Sequence, residues 1–427
     1  MKLSWVQIFR LGLVQMCLGA VVVLTTSTLN RLMVVELSLP AVLPGLLVAL
    51  HYGIQITRPN WGYRSDTRGN RTAFIIGGMA ALAAGGFLAA AGVVVMGFAP
   101  FAGLALSILA YALIGVGVGA SGTSLLALLA TATAPRRRAA AATITWLMMI
   151  LGIAVTAGTV GALLDPYTPA LLLEIVGCVT AGAVVLTTLA VWGIERRVIA
   201  EREAEATPFR QGMAEVWAEP QARAFTLFIF LSMTAYFLQE LILEPYAGLV
   251  FAMSPGESTQ LSGAQNGGVF VGMALVGIAA TGLRIGSLRM WVMGGCLGSA
   301  ASLVAIAALG QGGTGLVPAV VALGLFNGMF AVAAIGSMMA LAGRGRDARE
   351  GTRMGLWGAA QALAAGFGGL LGAASVDALR LVVPAPQAFG MVFLAEAGLF
   401  VLAALMAAKI IEGRQVPAPD AQLVPGE

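Results

Sequence analysis

The sequence predicts an all-α integral membrane protein with twelve transmembrane helices in two groups of six. Three observations carry that expectation. The 427 residues are 59% Ala, Val, Ile, Leu, Met, Phe, Trp, Tyr or Cys and only 10% charged, whereas a soluble domain has about 45–50% apolar and about 25% charged residues. Apolar runs of about 20 residues, the length that crosses a hydrocarbon core of about 30 Å, recur along the chain. The basic residues also fall in alternate connections, as expected when cytoplasmic loops collect Lys and Arg. With a mean hydropathy of +0.91, the chain cannot cover itself with a water-facing shell, which excludes a cytosolic enzyme.

Each span is placed in turn. Span one covers 11–34; its apolar stretch is longer than the roughly 7–15 residues of a secretory signal core and lacks a small-x-small cleavage site, so it is read as an uncleaved helix. Spans two and three, 39–57 and 73–97, flank a basic loop. Spans four and five, 101–131 and 139–163, flank Arg136, Arg137 and Arg138, a topology anchor. Span six, 168–193, closes the first group. The longest hydrophilic segment, 194–223, mixes acids and bases with Phe209 and Trp217. It is expected to lie on the membrane surface as an amphipathic helix, either as a linker or as a docking surface for a partner. The second group follows at 224–246, 262–283, 290–310, 316–342, 355–378 and 387–411. With the N-terminus in the cytoplasm, Arg31 and Arg380 alone face outward, leaving 22 of the 24 basic residues inside. Both termini are therefore cytoplasmic. The expected units are a six-helix bundle over 1–193, the linker 194–223, a second bundle over 224–411 and a tail over 412–427.

The net charge of +4 has no exposed domain to concentrate on, so nucleic acid is not an expected partner. Cys17, Cys178 and Cys296 each lie in an apolar run without a CxxC pair, and His51 is the one histidine, which argues against a zinc or haem site. No phosphate-binding loop, dinucleotide fingerprint or nucleophile motif occurs, so no catalytic site and no covalent cofactor are expected. Of the 56 glycines, several cluster in spans four and eleven, where they let helix backbones approach closely or shape a lining for a flat ligand.

Between spans two and three the chain reads Gly62-Tyr63-Arg64-Ser65-Asp66-Thr67-Arg68-Gly69-Asn70-Arg71. This G-x-x-x-D-x-x-G-x-R pattern resembles the signature loop of the major facilitator superfamily. The resemblance implies the 6+6 architecture of that superfamily, with halves related by a pseudo-two-fold axis, and a cytoplasmic latch made by Gly62, Asp66, Gly69 and Arg71. The matching loop after span eight, from Gly282 to Arg289, lacks the acid.

A narrower resemblance rests on three stretches: Thr28 to Leu37 (TLNRLMVVEL), His51 to Gln55 followed by Arg58 and Pro59, and Leu238 to Tyr246 (LQELILEPY). They are similar to the PucC/LhaA family of phototrophic bacteria, over essentially all twelve spans. That resemblance implies an inner, intracytoplasmic photosynthetic membrane protein that assists assembly of light-harvesting complexes, with bacteriochlorophyll or a precursor bound transiently. Antenna polypeptides and pigment-synthesis enzymes are the implied partners. A secondary transporter of a small amphipathic solute and an accessory subunit of bacteriochlorophyll synthesis remain the alternatives.

Charges within spans are costly and mark candidate sites. Arg31 and Glu36 fall near the outer end of span one, and Glu240 and Glu244 near that of span seven, the matching first helices of the two halves. An outer gate is expected from an ion pair between Arg31 and Glu240 or Glu244, against the alternative that each snorkels to the interface. His51, about midway along span two with Gln55 one turn on, is a candidate axial ligand for a chlorophyll magnesium, against the alternative of a histidine packed between helices. Span four holds no acid, and Asp165, Glu174, Asp377 and Glu396 form no evident proton relay, which weakens the transporter reading.

Overall fold

The computed structural model describes residues 3–58, 61, 70–134, 137–195, 217–283, 285–342 and 350–411. Among them the chain is helical, with no strand. Eleven helices are long and apolar enough to cross a membrane, and a twelfth, Val42–Thr57, is a shorter apolar helix. In chain order they are α1 Trp5–Glu36, α2 Val42–Thr57, α3 Arg71–Met96, α4 Pro100–Ala132, α5 Arg138–Leu163, α6 Pro169–Val191, α7 Pro220–Phe251, α8 Pro255–Val276, α9 Leu288–Leu309, α10 Leu316–Ala342, α11 Glu350–Arg380 and α12 Ala385–Ile410. A helix stands at each of the twelve expected positions, eleven of them of spanning length.

Local sequence explains where they begin. Ser4 and Ser254 open α1 and α8 with capping boxes closed by Gln7 and Glu257, so that two otherwise unpaired donors at each start are satisfied. Asn70, Thr168 and Ser287 cap α3, α6 and α9. Proline occupies the first turn of α4, α6, α7, α8 and α12, where its missing N–H costs nothing. The Arg10 guanidinium donates to the carbonyls of Leu189 (3.1 Å) and Trp192 (2.7 Å), tying α1 to the negative end of α6.

Besides the 3-10 turn Gln55–Thr57 that ends α2 and the π stretch Gly277–Gly282 that follows α8, two helices are irregular in mid-course where hydropathy predicts simple spans. α1 carries two π turns, Leu24–Thr28 and Leu32–Glu36, a local widening that shifts carbonyls out of register. The Tyr111 hydroxyl of α4 donates to the carbonyl of Thr25 in the first of them, at 3.0 Å. α7 breaks after Leu238 and resumes over Leu243–Phe251. Glu240 and Glu244 therefore sit at a mid-helix break, and the expected outer end of span seven is displaced outward by the second piece.

Two large apolar cores form, with a third, small cluster of Ile150, Val269 and Met273 where α5 meets α8. One gathers residues of α1–α6, among them Leu11, Leu18, Met79, Tyr111 and Val176, and the other gathers residues of α7–α12, among them Phe228, Tyr246, Phe330, Trp357 and Phe393. Val34 and Ala41 lodge in the second core and Leu241, from the α7 break, in the first. The groups are thus joined by these exchanged side chains together with the packing of α5 on α8 and of α2 on α11.

Within the first group, α3 and α4 meet along a glycine seam with a seven-residue repeat. A methyl added at Gly78 would lie 2.5 Å from Ser121 N, at Gly85 2.9 Å from Ala110 O, and at Gly92 2.4 Å from Ser107 Oγ. Gly103 and Gly117 on α4 answer from the other side, each 2.4 Å from a backbone nitrogen, of Met96 and Leu82. Such contact replaces interdigitated side chains by backbone-to-backbone dispersion, the usual way helices associate in lipid. Of the glycines of α4 and α11 that were open to a ligand-lining reading, Gly115 is packed against His51 and Ile54, and Gly368 and Gly372 against Thr234 and Leu238, whereas a methyl at Gly122 would meet only Leu18, at 3.8 Å.

Candidate functional site

The candidate site is the seam where the α1 π turns meet the α7 break and the start of α8. Thr25, Thr26, Ser27, Thr28, Asn30 and Arg31 are all buried. A run of hydroxyls in mid-membrane is stable only if each finds a partner. The Ser27 hydroxyl donates to the Glu244 carboxylate, and Glu240 lies within hydrogen-bonding reach of Thr26. The hydroxyls of Thr28 and Thr259 are 3.2 Å apart, and Asn30 Nδ2 donates to the carbonyl of Leu241 at 2.9 Å. The break in α7 frees that carbonyl, and α1 supplies the amide that satisfies it. Discontinuous helices facing each other across a bundle interface are the usual setting of binding sites in this kind of architecture.

The structure redirects the expected ion pair. Arg31 is 2% exposed, and its Nη1 lies 2.5 Å from Glu36 Oε1 while Nη2 donates to the Met253 carbonyl at 2.7 Å. Among the described residues no ion pair joins Arg31 to Glu240 or Glu244. The reason is the second π turn, which brings Glu36 back over Arg31 five residues earlier, while Glu244 is turned towards Ser27. Arg31 still bridges the halves, through a backbone carbonyl.

His51 is 1% exposed and packed against Tyr52, ring centroids 4.6 Å apart. Its Nε2 is 2.8 Å from Gln55 Nε2, and Gln55 Oε1 accepts from Arg58. An amide nitrogen can only donate, so His51 Nε2 accepts and the ring proton resides on Nδ1, which is buried without a partner. A magnesium ligand must offer a free lone pair, and here it is held by Gln55. The ring fits pigment ligation only after Gln55 swings away and the packing over the ring opens.

Of the signature loop, Gly62, Asp66 and Gly69 lie outside the described residues, as do most of the 194–223 linker and the tail after Ile411. Arg71 begins α3, with its guanidinium donating to Ala127 O at 3.3 Å. A contact not apparent in the sequence lies beside it: Glu195, at the start of the linker just past α6, accepts from the backbone N–H of Arg71 (2.9 Å) and Thr72 (2.8 Å). A carboxylate on two first-turn N–H donors is a strong arrangement for a helix N-terminus. Asp165 and Asp377, set aside above as lacking a relay, prove to bind the opposite half. Asp377 accepts from the N–H of Ala41 (3.0 Å) and Val42 (2.7 Å), and Asp165 from the Ser254 hydroxyl (2.7 Å). Glu396, in mid-α12, is fully buried with neither oxygen hydrogen-bonded. No group of three or more His, Cys, Asp or Glu suited to a metal occurs among the described residues.

The family model described as PUCC protein matches residues 28–415. A relative from Rhodobacter capsulatus, "Bacteriochlorophyll synthase 44.5 kDa chain", is 71% identical over 97% of both chains. "Protein PucC" of the same organism is 30% identical over 90% of this chain and 86% of its own. Among solved structures, a bacterial homologue of the human lysosomal transporter Spinster superposes with a TM-score of 0.69 at 16% identity, covering 97% of this chain and all of that one. A bacterial homologue of the peptide transporters PepT1 and PepT2 gives the same TM-score at 13% identity, over 95% and 97%. The fold is that of the major facilitator transporters.

Proposed function

The chain belongs to the PucC family, and from that premise we propose that it is a non-enzymatic assembly factor for bacterial light-harvesting complexes that passes bacteriochlorophyll, or a precursor, to antenna polypeptides. The observation that carries this reading is the family match from residue 28 to 415 together with a 71%-identical relative named for bacteriochlorophyll. The multi-pass fold supports a membrane-embedded carrier, and the photosynthetic inner membrane is its proposed location. In this reading the six-helix units 1–193 and 224–411 move about their shared polar seam, with the linker 194–223 between them and the tail 412–427 at the cytoplasmic side. Gly62, Asp66, Gly69 and Arg71 latch the cytoplasmic face. The outer gate comprises Arg31 with Glu36, and Glu240 with Glu244. His51 is the proposed pigment ligand in an opened state, with Gln55 the group that covers its lone pair when no pigment is held.

The test is the absorption spectrum of the protein purified in mild detergent from phototrophically grown cells, with pigment quantified per polypeptide. Stoichiometric bacteriochlorophyll, lost in His51→Phe, supports a carrier with that site. Stoichiometric pigment retained in His51→Phe removes the ligand role and keeps the carrier. A colourless preparation refutes pigment carriage.

A second reading, an accessory chain of pigment synthesis, is favoured by the name of the 71%-identical relative. It predicts altered pigment tails in a deletion strain, where an assembly factor predicts normal pigment and missing antenna. A third, transport of an amphipathic solute, rests on fold likeness and predicts substrate gradients in proteoliposomes.

A further inference from the structure

Asp165 and Asp377 occupy matching places in the two halves. Asp165 follows the outer end of α5 and Asp377 lies in the last turn of α11; α5 and α11 are both the fifth helix of their group. Each reaches the start of the second helix of the opposite group. Asp377 takes both N–H donors at the start of α2, and Asp165 takes the hydroxyl of Ser254, the residue that caps α8. Around each contact the backbones close to van der Waals distance. A methyl at Gly45 of α2 would lie 3.3 Å from Ala373 and Leu370 of α11. One at Gly256 would lie 2.4 Å from Asp165 Oδ2, and one at Gly161 2.6 Å from Gln260 N. A carboxylate on a helix N-terminus is favoured by hydrogen bonds and by the helix dipole together.

We infer that these two aspartates form a symmetric outer lock: each half clamps the other by a carboxylate on a helix start, and the seam opens to the outside only when both clamps release. The lock is distinct from the Arg31 gate and does not depend on what the seam holds. It makes outward opening a two-clamp event, so the open population rises as the clamps are removed.

The experiment places one reporter cysteine at Thr259, which is fully buried against Thr28 of the opposite half, in a chain whose exposed Cys178 is replaced by Ala. A membrane-impermeant maleimide is added from the outer side of spheroplasts. Asp377→Asn leaves one acceptor and turns an amide donor onto a backbone N–H; at Ser254, whose hydroxyl an amide could still satisfy, Asp165→Ala removes the acceptor outright. Each is expected to raise the labelling rate about three- to tenfold, and the pair by about the product, since the sites share no partner. Gly256→Ala, which displaces Asp165 without changing charge, is expected to raise it as well. Cys17 and Cys296, each buried inside its own half, serve as internal controls, because rigid separation of the halves leaves them covered while unfolding does not. Labelling at Thr259→Cys that rises with the two native thiols still protected supports the lock. An unchanged rate in the double variant overturns it, and so does a rise matched at Cys17 and Cys296.

Discussion

Removing Glu36 alone should damage the protein more than removing Glu36 and Arg31 together. Arg31 is 2% exposed, with Glu36 at 2.5 Å as its charge partner and the Met253 carbonyl as its other acceptor. Two unit charges about 4 Å apart attract by about 4 kcal/mol at an effective dielectric of 20 and about 1 kcal/mol in water. The Glu36 side chain is 42% exposed, which places the pair towards the wet limit, so a coupling of about 1–2 kcal/mol is expected. The asymmetry matters more than that number. Glu36→Gln strands a cation that is almost wholly buried, whereas Arg31→Met leaves a carboxylate that water already reaches, and removing both charges leaves nothing stranded. The apparent melting temperature of the detergent-purified protein, at roughly 1–2 °C per kcal/mol for a chain of this size, should fall most for Glu36→Gln and partly recover in the Arg31→Met, Glu36→Gln double variant. The same cycle with Glu244→Gln should show weaker coupling to Arg31. A double variant no more stable than Glu36→Gln, or a larger coupling to Glu244, would refute the reasoning.

Three further outcomes follow from the geometry. Gly85→Ala forces a methyl to 2.9 Å from Ala110 O and Ile114 N, backbone atoms that cannot rotate aside; it should cost about 1–3 kcal/mol, read as a lower melting temperature, while Gly77→Ala, with nothing within 4 Å, should be neutral or better. Glu195→Ala strips both acceptors from the start of α3 at about 1–2 kcal/mol, and hydrogen exchange at Arg71 and Thr72 should quicken, with Glu195→Gln restoring part of the protection. Asn30→Ala leaves the Leu241 carbonyl in the α7 break unpaired, a loss of about 1–3 kcal/mol that equilibrium unfolding in mixed micelles should register.

The spans were readable because lipid solvation acts residue by residue: twenty apolar side chains cost nothing to place in hydrocarbon, and Arg136 or Arg196 costs a great deal. The break in α7 left a trace that hydropathy ignores. Pro245 stands in the first turn of the second piece, where proline marks a helix beginning. The π turns of α1 left none, since the buried hydroxyls that fill them read equally well as ordinary helix. Arg31 and Glu36 were legible as charges in an apolar run, but their pairing was not, because a helical spacing of five puts them on different faces until a π turn brings them together. The partners of Asp165 and Asp377 depend on which helix of the other half each one meets. That is decided by the packing of α2 on α11 and α5 on α8, and no spacing along the chain encodes it.

The glycine seam between α3 and α4 has a mechanical consequence. Where side chains interdigitate, two helices can slip by repacking rotamers, but a joint made of touching backbones has no such gears. α3 and α4 therefore behave as a single girder of the first half. Flexure is left to α1 and α7, whose π turns and break supply the slack. A spectroscopic probe on either girder helix reports the attitude of the whole half, and one beside the α7 break reports the joint itself.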